Sequence, residues 1–358
     1  MKKVLIANWN TSLEWFGGQE TLQMHLAKAL NAKQVSFTSA AKATGFTQQL
    51  SAFAAVYRGR VIDQYLKEYE KVFPLDVIVK NSAVGGYFDL KTPIVTVFQD
   101  PYDTISRIMY YYGYFLPHME HYNACVDLQR RTAEKSACNV AVSEFMQKYM
   151  KTIGVKCHKV INEGVDMQKF KPSGEKEALR RKYGIPNDKK VGLSVIKFHP
   201  AKGWHILAEL IKEFKDVFWI VCFTEPVYDK VKSKNVKIFQ MLPRDKMPEL
   251  YNLADFFVLP TACESFGLSS MESAACDIPL VIQRTGWAWK FWDKKLGYRI
   301  EKWETEEYMK AVKDIVEERH DFSPRKVVEN KFSLQNWEKE WKNLISSIGL
   351  VAPRLLSE

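Results

Sequence analysis

Long apolar runs, paired cysteines and clustered charge are all missing from this chain. No apolar stretch reaches the ~18 residues that a bilayer-crossing helix needs, so no membrane-spanning helix is expected. The six cysteines form no Cys-x-x-Cys pair and have no histidine at ligand spacing, which argues against structural zinc. Met1, Lys2 and Lys3 open the chain with charge, but the apolar residues 4–7 are too few for a signal-peptide core, and Asn8 interrupts them. The expectation is a cytoplasmic protein with free thiols. A three-glycine dinucleotide fingerprint is missing too, which disfavours a nicotinamide cofactor.

What is present suits a two-domain soluble chain. Its 358 residues are 46% hydrophobic and 26% charged, enough to build two cores of ordinary size. The net charge of +10 is scattered rather than gathered in a tail, and no zinc-finger spacing or aromatic RNA-binding motif accompanies it. Nucleic acid is therefore not an expected partner. Anionic substrates, or peripheral contact with an anionic membrane surface, fit the charge better.

One stretch is more informative than the rest. Residues 255–259 read as a short buried strand stopped by Pro260, and a helix starts near Gly267 and meets no breaker before Cys276. Asp277 and Pro279 end it, and Leu280–Gln283 reads as the next strand. In such a parallel unit, the loop after the first strand faces the ligand. The N–H groups of Phe266, Gly267 and Leu268 favour an anion there, and Gly267 lets backbone approach it closely. Glu264 precedes the turn and Glu272 lies a turn into the helix, so two carboxylates flank the anion position, placed to accept from sugar hydroxyls. The spacing alone fits a loop glutamate and a surface helix glutamate equally well.

The ordered run Glu264-Ser265-Phe266-Gly267-Leu268, then Glu272, then Ala275-Cys276-Asp277-Ile278-Pro279 resembles the Glu-x7-Glu signature of retaining glycosyltransferases of the family 4 type. Ser265 and Asp277 stand where that pattern has glycine. The resemblance implies an α/β GT-B fold, two Rossmann-like domains with parallel sheets facing a central cleft. It also implies transfer of a sugar, with retention, from a UDP- or GDP-sugar to a glycan or lipid-linked acceptor. By the same resemblance Glu264 contacts the donor sugar and Glu272 the ribose, while Lys197, Lys202, Ser265, Phe266, Gly267 and Leu268 surround the diphosphate. Met241 lies where the backbone meets the base. Lysine in place of the family's arginine at 197 keeps the charge and loses the bidentate fork. No metal or cofactor is expected, because lysines and a helix start carry the counter-charge.

The remaining chain is read around that centre. Residues 3–8 form an opening strand, followed by Gly17-Gly18 and an amphipathic helix with Leu22, Leu26 and Leu30 on one face. The resemblance brings this glycine pair to the donor phosphates, and a plain tight turn explains it as well. Residues 35–38, 75–80 and 93–98 read as strands, and 61–73 and 128–136 as helices. After the strand at 93–98, Gln99 stands where the family often has histidine. Asp100 is then a catalytic candidate beside Glu264, although Asp100-Pro101 also suits an ordinary turn. The tyrosines at 110–112 suit acceptor stacking, a membrane interface or packing under a loop. Trp287, Trp289 and Trp292 suit sugar contacts or core. The expected domains are 1–168 for the acceptor and 169–334 for the donor, with a terminal helix in 335–358, carrying Trp337 and Trp341, packing back on the first. A nucleotide-sugar epimerase of the same fold, or a non-catalytic relative that only binds nucleotide sugar, are the other classes in view.

Overall fold

The computed structural model describes residues 2–8, 18–43, 54–81, 84–113, 118–227, 233–318 and 320–348. It divides into two units, Met1–Glu163 with Gln335–Glu358, and Gly164–Leu334. In the first unit, strands β1 (Val4–Ala7), β2 (Lys33–Val35), β3 (Val77–Asn81), β4 (Ile94–Phe98), β5 (Cys138–Ala141) and β6 (Lys159–Val160) form one sheet. Its order is β2-β1-β3-β4-β5-β6, and every pairing is parallel. All residues of β1, β3, β4 and β5 are buried, as expected of strands covered by helices on both faces.

Lys80 in β3 is the one charged residue in these four strands. Its Nζ lies 2.5 Å from Asp63 Oδ1, with both side chains fully buried. A buried charge is tolerated only with partners, and Asp63 gathers more: Tyr87 and Phe88 donate their N–H groups to its other oxygen at 2.7 and 3.3 Å. The pair thereby ties the chain beyond β3 to the helix Ala54–Val72.

The second unit holds β7 (Val191–Ile196), β8 (Phe218–Phe223), β9 (Val236–Gln240), β10 (Phe256–Leu259), β11 (Leu280–Gln283) and β12 (Gly297–Ile300). They lie in the order β12-β11-β10-β7-β8-β9, again all parallel. The chain runs outward through β7, β8 and β9, then returns to lay β10 against the other side of β7. That reversal of strand order opens a crevice at the carboxyl ends of β7 and β10, the usual place for a ligand in such sheets. The first sheet has its own reversal between β1 and β3.

Several elements depart from the sequence expectations. The strand read at 35–38 stops at Val35, and Phe37–Ala43 is a helix. Ser36 and Ser39 explain the switch: Ser36 N–H donates to Ser39 Oγ at 2.8 Å and Ser39 N–H to Ser36 Oγ at 3.3 Å, a reciprocal cap that starts a helix. The helices read at 61–73 and 128–136 begin earlier, as Ala54–Val72 and His118–Glu134. Strand β12 and the helix Thr305–Glu317 were not anticipated. The terminal helix Leu334–Ser347 buries Trp337 and Trp341. His25 meets Trp337 edge-on at 5.9 Å and Lys2 donates to the carbonyl of Ile348, so this helix packs within the first unit. All six cysteines are free and buried. Among the described residues no helix is long and apolar enough to cross a membrane.

Candidate functional site

At the reversal in the second unit, the loops after β7 and β10 are stitched together. Beyond Ile196 the chain passes Lys197 and enters a tight turn, Pro200–Lys202, capped by His199, whose Nδ1 accepts from Ala201 N–H at 3.1 Å. The carbonyl of Ala201 then accepts from Ala262 N–H at 2.8 Å and from Thr261 Oγ1 at 3.1 Å. Gly203 sits at φ 71°, and a Cβ there would fall 1.8 Å from the Pro260 carbonyl oxygen, so only glycine fits. The consequence is a contact between residues 62 apart in sequence: Lys202 Nζ lies 2.5 Å from Glu264 Oε1, and both side chains are partly exposed, 28% and 17%. Thr285, beyond β11, fixes the loop by accepting from Glu264 N–H at 2.9 Å.

Directly after Glu264 the chain turns into the helix Leu268–Ala275, with Gly267 at φ 101° as its cap. The first N–H groups of a helix have no acceptor within it, and the dipole favours an anion there. Trp287 braces this turn: its backbone N–H donates to the Phe266 carbonyl at 3.0 Å, and Nε1 donates to Ser270 Oγ at 2.9 Å. Ser270 Oγ in turn donates to the Gly267 carbonyl at 2.7 Å. Trp287 is buried and stacks on Trp292 at 5.9 Å, so of the two readings of these tryptophans it takes the core one. Ser265 and Leu268 are half-buried, and Phe266 is buried. Neighbouring Cys263 is buried, and burial pushes its thiol up to about 12, so it stays protonated at neutral pH.

The remaining donor-side residues are placed less uniformly. Lys197 is exposed and lies outside the Lys202–Glu264 pair. Met241, just past β9, is 48% exposed at φ 49°. Glu272 lies in the helix Leu268–Ala275 and is buried. Its carboxylate is buried: Oε1 accepts from Arg244, and Oε2 accepts from the Tyr251 hydroxyl at 2.8 Å. A carboxylate at this depth is too costly without such partners. Burial, and then the charge of Glu272, push the Tyr251 hydroxyl well above its ordinary pKa, so it remains a donor. Arg244 also rests 5.2 Å over the Phe170 ring. Sequence reasoning missed Arg244, because nothing in its neighbours marks it among many basic residues.

The first unit gathers its own polar residues at its strand-order reversal. Asp100, just after β4, accepts from Gln19 and from the Tyr102 hydroxyl at 3.2 Å on Oδ2, while its carbonyl accepts from Gln129 at 2.7 Å. Gln99 is buried and donates to Asn81 Oδ1, and Asn81 donates to the Gln19 carbonyl at 3.2 Å. Asn8 donates to Gln23 at 2.7 Å. Gly18 begins the helix Gly18–Leu30 and is exposed; Gly17 lies outside the described residues. His121 is 3.7 Å from Cys125 Sγ.

With this geometry in place, comparison with known proteins becomes informative. Residues 175–332, nearly all of the second unit, match the family model of glycosyl transferases group 1. The second unit is a group 1 glycosyltransferase domain. A D-inositol 3-phosphate glycosyltransferase from Corynebacterium urealyticum is 31% identical over 148 residues, covering 36% of this chain and 35% of the relative. One from Mycobacteroides abscessus is 24% identical over 204 residues, 53% of this chain and 46% of the relative. The chain thus spans less than half the length of these curated relatives. Solved structures match it end to end: sucrose-phosphate synthase from Thermosynechococcus elongatus at a TM-score of 0.81 and 13% identity, covering 98% and 100% of the two chains. HepE from Anabaena, solved with UDP-glucose, matches at 0.75 and 18% identity, covering 97% and 100%. The two parallel six-stranded sheets are those of the GT-B fold, and the Glu264–Glu272 signature lies inside the group 1 domain.

Proposed function

We propose that this chain is a retaining glycosyltransferase, moving a sugar from a nucleotide diphosphate-sugar to a glycan or lipid-linked acceptor. The observation that carries the proposal is the Lys202–Glu264 pair, set at the start of the Leu268–Ala275 helix and at the strand-order reversal of the group 1 domain. A diphosphate calls for a cation and free N–H groups; Lys202 and the helix start supply them, with Lys197 as a second cation. A sugar calls for hydrogen-bond acceptors, and Glu264 is one. In the structure these opposite charges satisfy each other. The donor offers each a new partner, phosphate for Lys202 and hydroxyls for Glu264. Phe266, Gly267, Leu268 and Ser265 border the diphosphate, Met241 the base, and Glu272 accepts from the ribose.

In the reaction, the bond between the anomeric carbon and the leaving phosphate oxygen breaks, and the acceptor oxygen bonds to that carbon on the same face. The acceptor proton passes to the phosphate oxygen that leaves. Asp100 and Gln99, in the first unit, are the candidates for acceptor binding. The lysines and helix start carry the counter-charge without a metal, and the chain's net basicity favours peripheral contact with an anionic membrane surface in the cytoplasm. UDP-glucose is the first donor to try, because HepE is solved with it.

Incubation with a panel of nucleotide sugars, followed by proton NMR of the anomeric signal, tests the reading. Slow hydrolysis with retained configuration supports a transferase. Appearance of an epimerised donor converts the reading to an epimerase, and binding without turnover converts it to a non-catalytic relative.

A further inference from the structure

Glu272 is nearly closed off from solvent. Its side chain is 2% exposed, and both oxygens already have donors, Arg244 on one and Tyr251 on the other. The two donors differ in freedom. Tyr251 lies in the helix Met247–Asn252, fully buried, between the rings of Phe170 and Phe257 at 6.0 and 6.1 Å. Arg244 lies in the irregular stretch between β9 and that helix, and its side chain is 30% exposed. Arg244 is therefore the solvent-side cover of the carboxylate and the partner able to move. Vicinal hydroxyls arriving from solvent would meet the carboxylate at the oxygen that accepts from Arg244. The guanidinium stands in their way.

We propose that Arg244 is a gate on Glu272: it caps the carboxylate while the site is empty, and the vicinal ribose hydroxyls of a bound nucleotide take its place. The proposal rests on the nucleotide-sugar reading above. The Phe170 ring, 5.2 Å from the guanidinium, gives Arg244 a second attraction that persists when it leaves the carboxylate. Because Arg244 and the hydroxyls compete for one acceptor, they are antagonists. Removing the arginine therefore strengthens binding of a nucleotide that has both hydroxyls. An arginine that merely propped the helix or touched phosphate would act in the opposite direction.

The experiment is calorimetric titration of the wild type, Arg244→Gln and Arg244→Lys with UDP and with 2′,3′-dideoxy-UDP, and with the ADP and GDP pairs in parallel. For Arg244→Gln, the ribonucleotide is expected to bind about tenfold tighter, the lower end of one charge-assisted hydrogen bond. The dideoxy nucleotide should change by less than about twofold, and Arg244→Lys should fall between. If a thermal melt shows that Arg244→Gln does not fold, Arg244→Lys carries the test, with the same sign and a smaller gain confined to the ribonucleotide. Weakening of both ligands, or equal tightening of both, overturns the gate. Equal affinity of the wild type for ribo- and dideoxynucleotide overturns it while leaving the nucleotide reading intact. A wild type that binds no nucleoside diphosphate removes the nucleotide reading, and the gate with it.

Discussion

Each unit reverses its strand order once within its sheet, and each builds that reversal from different chemistry. In the group 1 domain it is charged: Lys202 on Glu264, and Arg244 on Glu272 close by. In the first unit it is chiefly amide: Gln99, Asn81, Gln19 and Gln129 are joined by hydrogen bonds that lead to Asp100, and Asn8 donates to Gln23. Amides both donate and accept, so they can satisfy one another at little cost and can also read neutral hydroxyls. Opposite charges held half-exposed do something else. On the proposed function they are exchanged for a phosphate and a sugar when the donor binds. On that same proposal the donor belongs to one unit and the uncharged end of the acceptor to the other.

The largest expected effect is on turnover. Glu264→Gln should lower transfer by about a hundredfold or more, the scale of losing one group aimed at the reacting sugar, while binding of the nucleoside diphosphate is spared. Steady-state rates and calorimetry on the same sample decide it; full turnover in a folded variant makes the motif structural. Next, Lys202→Ala should weaken nucleoside diphosphate binding by at least about tenfold and leave the bare nucleoside nearly untouched. Equal affinities for the diphosphate before and after would take Lys202 out of the site. On the amide side, Asp100→Asn keeps the shape and removes the charge. It should reduce transfer to acceptor on the order of tenfold with donor affinity unchanged, so a rise in the donor KM alone would break the contrast between units.

The smallest effect is on stability in acid. Hydrogen bonds from Lys182, Tyr183 and Lys246 hold Glu249 down at about 2. Asp255 is raised by burial but lowered on balance by Lys176, by Arg180 and by the backbone N–H of Val191. Both lie in the group 1 domain. A carboxylate depressed on folding contributes its full stability above its ordinary pKa, 4.5 for Glu249, and loses it as pH falls through the folded value. Thermal melts should therefore fall between pH 4.5 and about 2, and Glu249→Gln should flatten that fall slightly, the side chain being partly solvated. An unchanged pH profile in the variant would show that these surface pairs contribute nothing measurable.

How much of this was legible beforehand depends on the range of the interaction. The helix start at Leu268 was readable because Gly267 precedes it and no breaker follows for eight residues. The apolar strands around it were equally plain. The partners of Glu272 were not, since Arg244 and Tyr251 lie 28 and 21 residues away and only the packed sheet brings them together. Glu264 and Lys202 were read separately, and their contact needed the stitching of two loops through Ala201. At residues 35–38 a β-type composition lost to local chemistry, because two serines three residues apart form a cap that the apolar pattern does not reveal. The amide web of the first unit was legible only at Gln99 and Asp100; its other members carry no motif.

Hydrogen–deuterium exchange of the full chain, with and without a saturating nucleoside diphosphate, reads the assignment of the donor to the charged reversal in one experiment. Protection is expected in peptides covering 197–204 and 262–272, where Lys202, Glu264 and the helix start lie, with 99–103 and its Gln99 and Asp100 unchanged. Binding that protects 99–103 and leaves 262–272 exchanging as before contradicts the assignment.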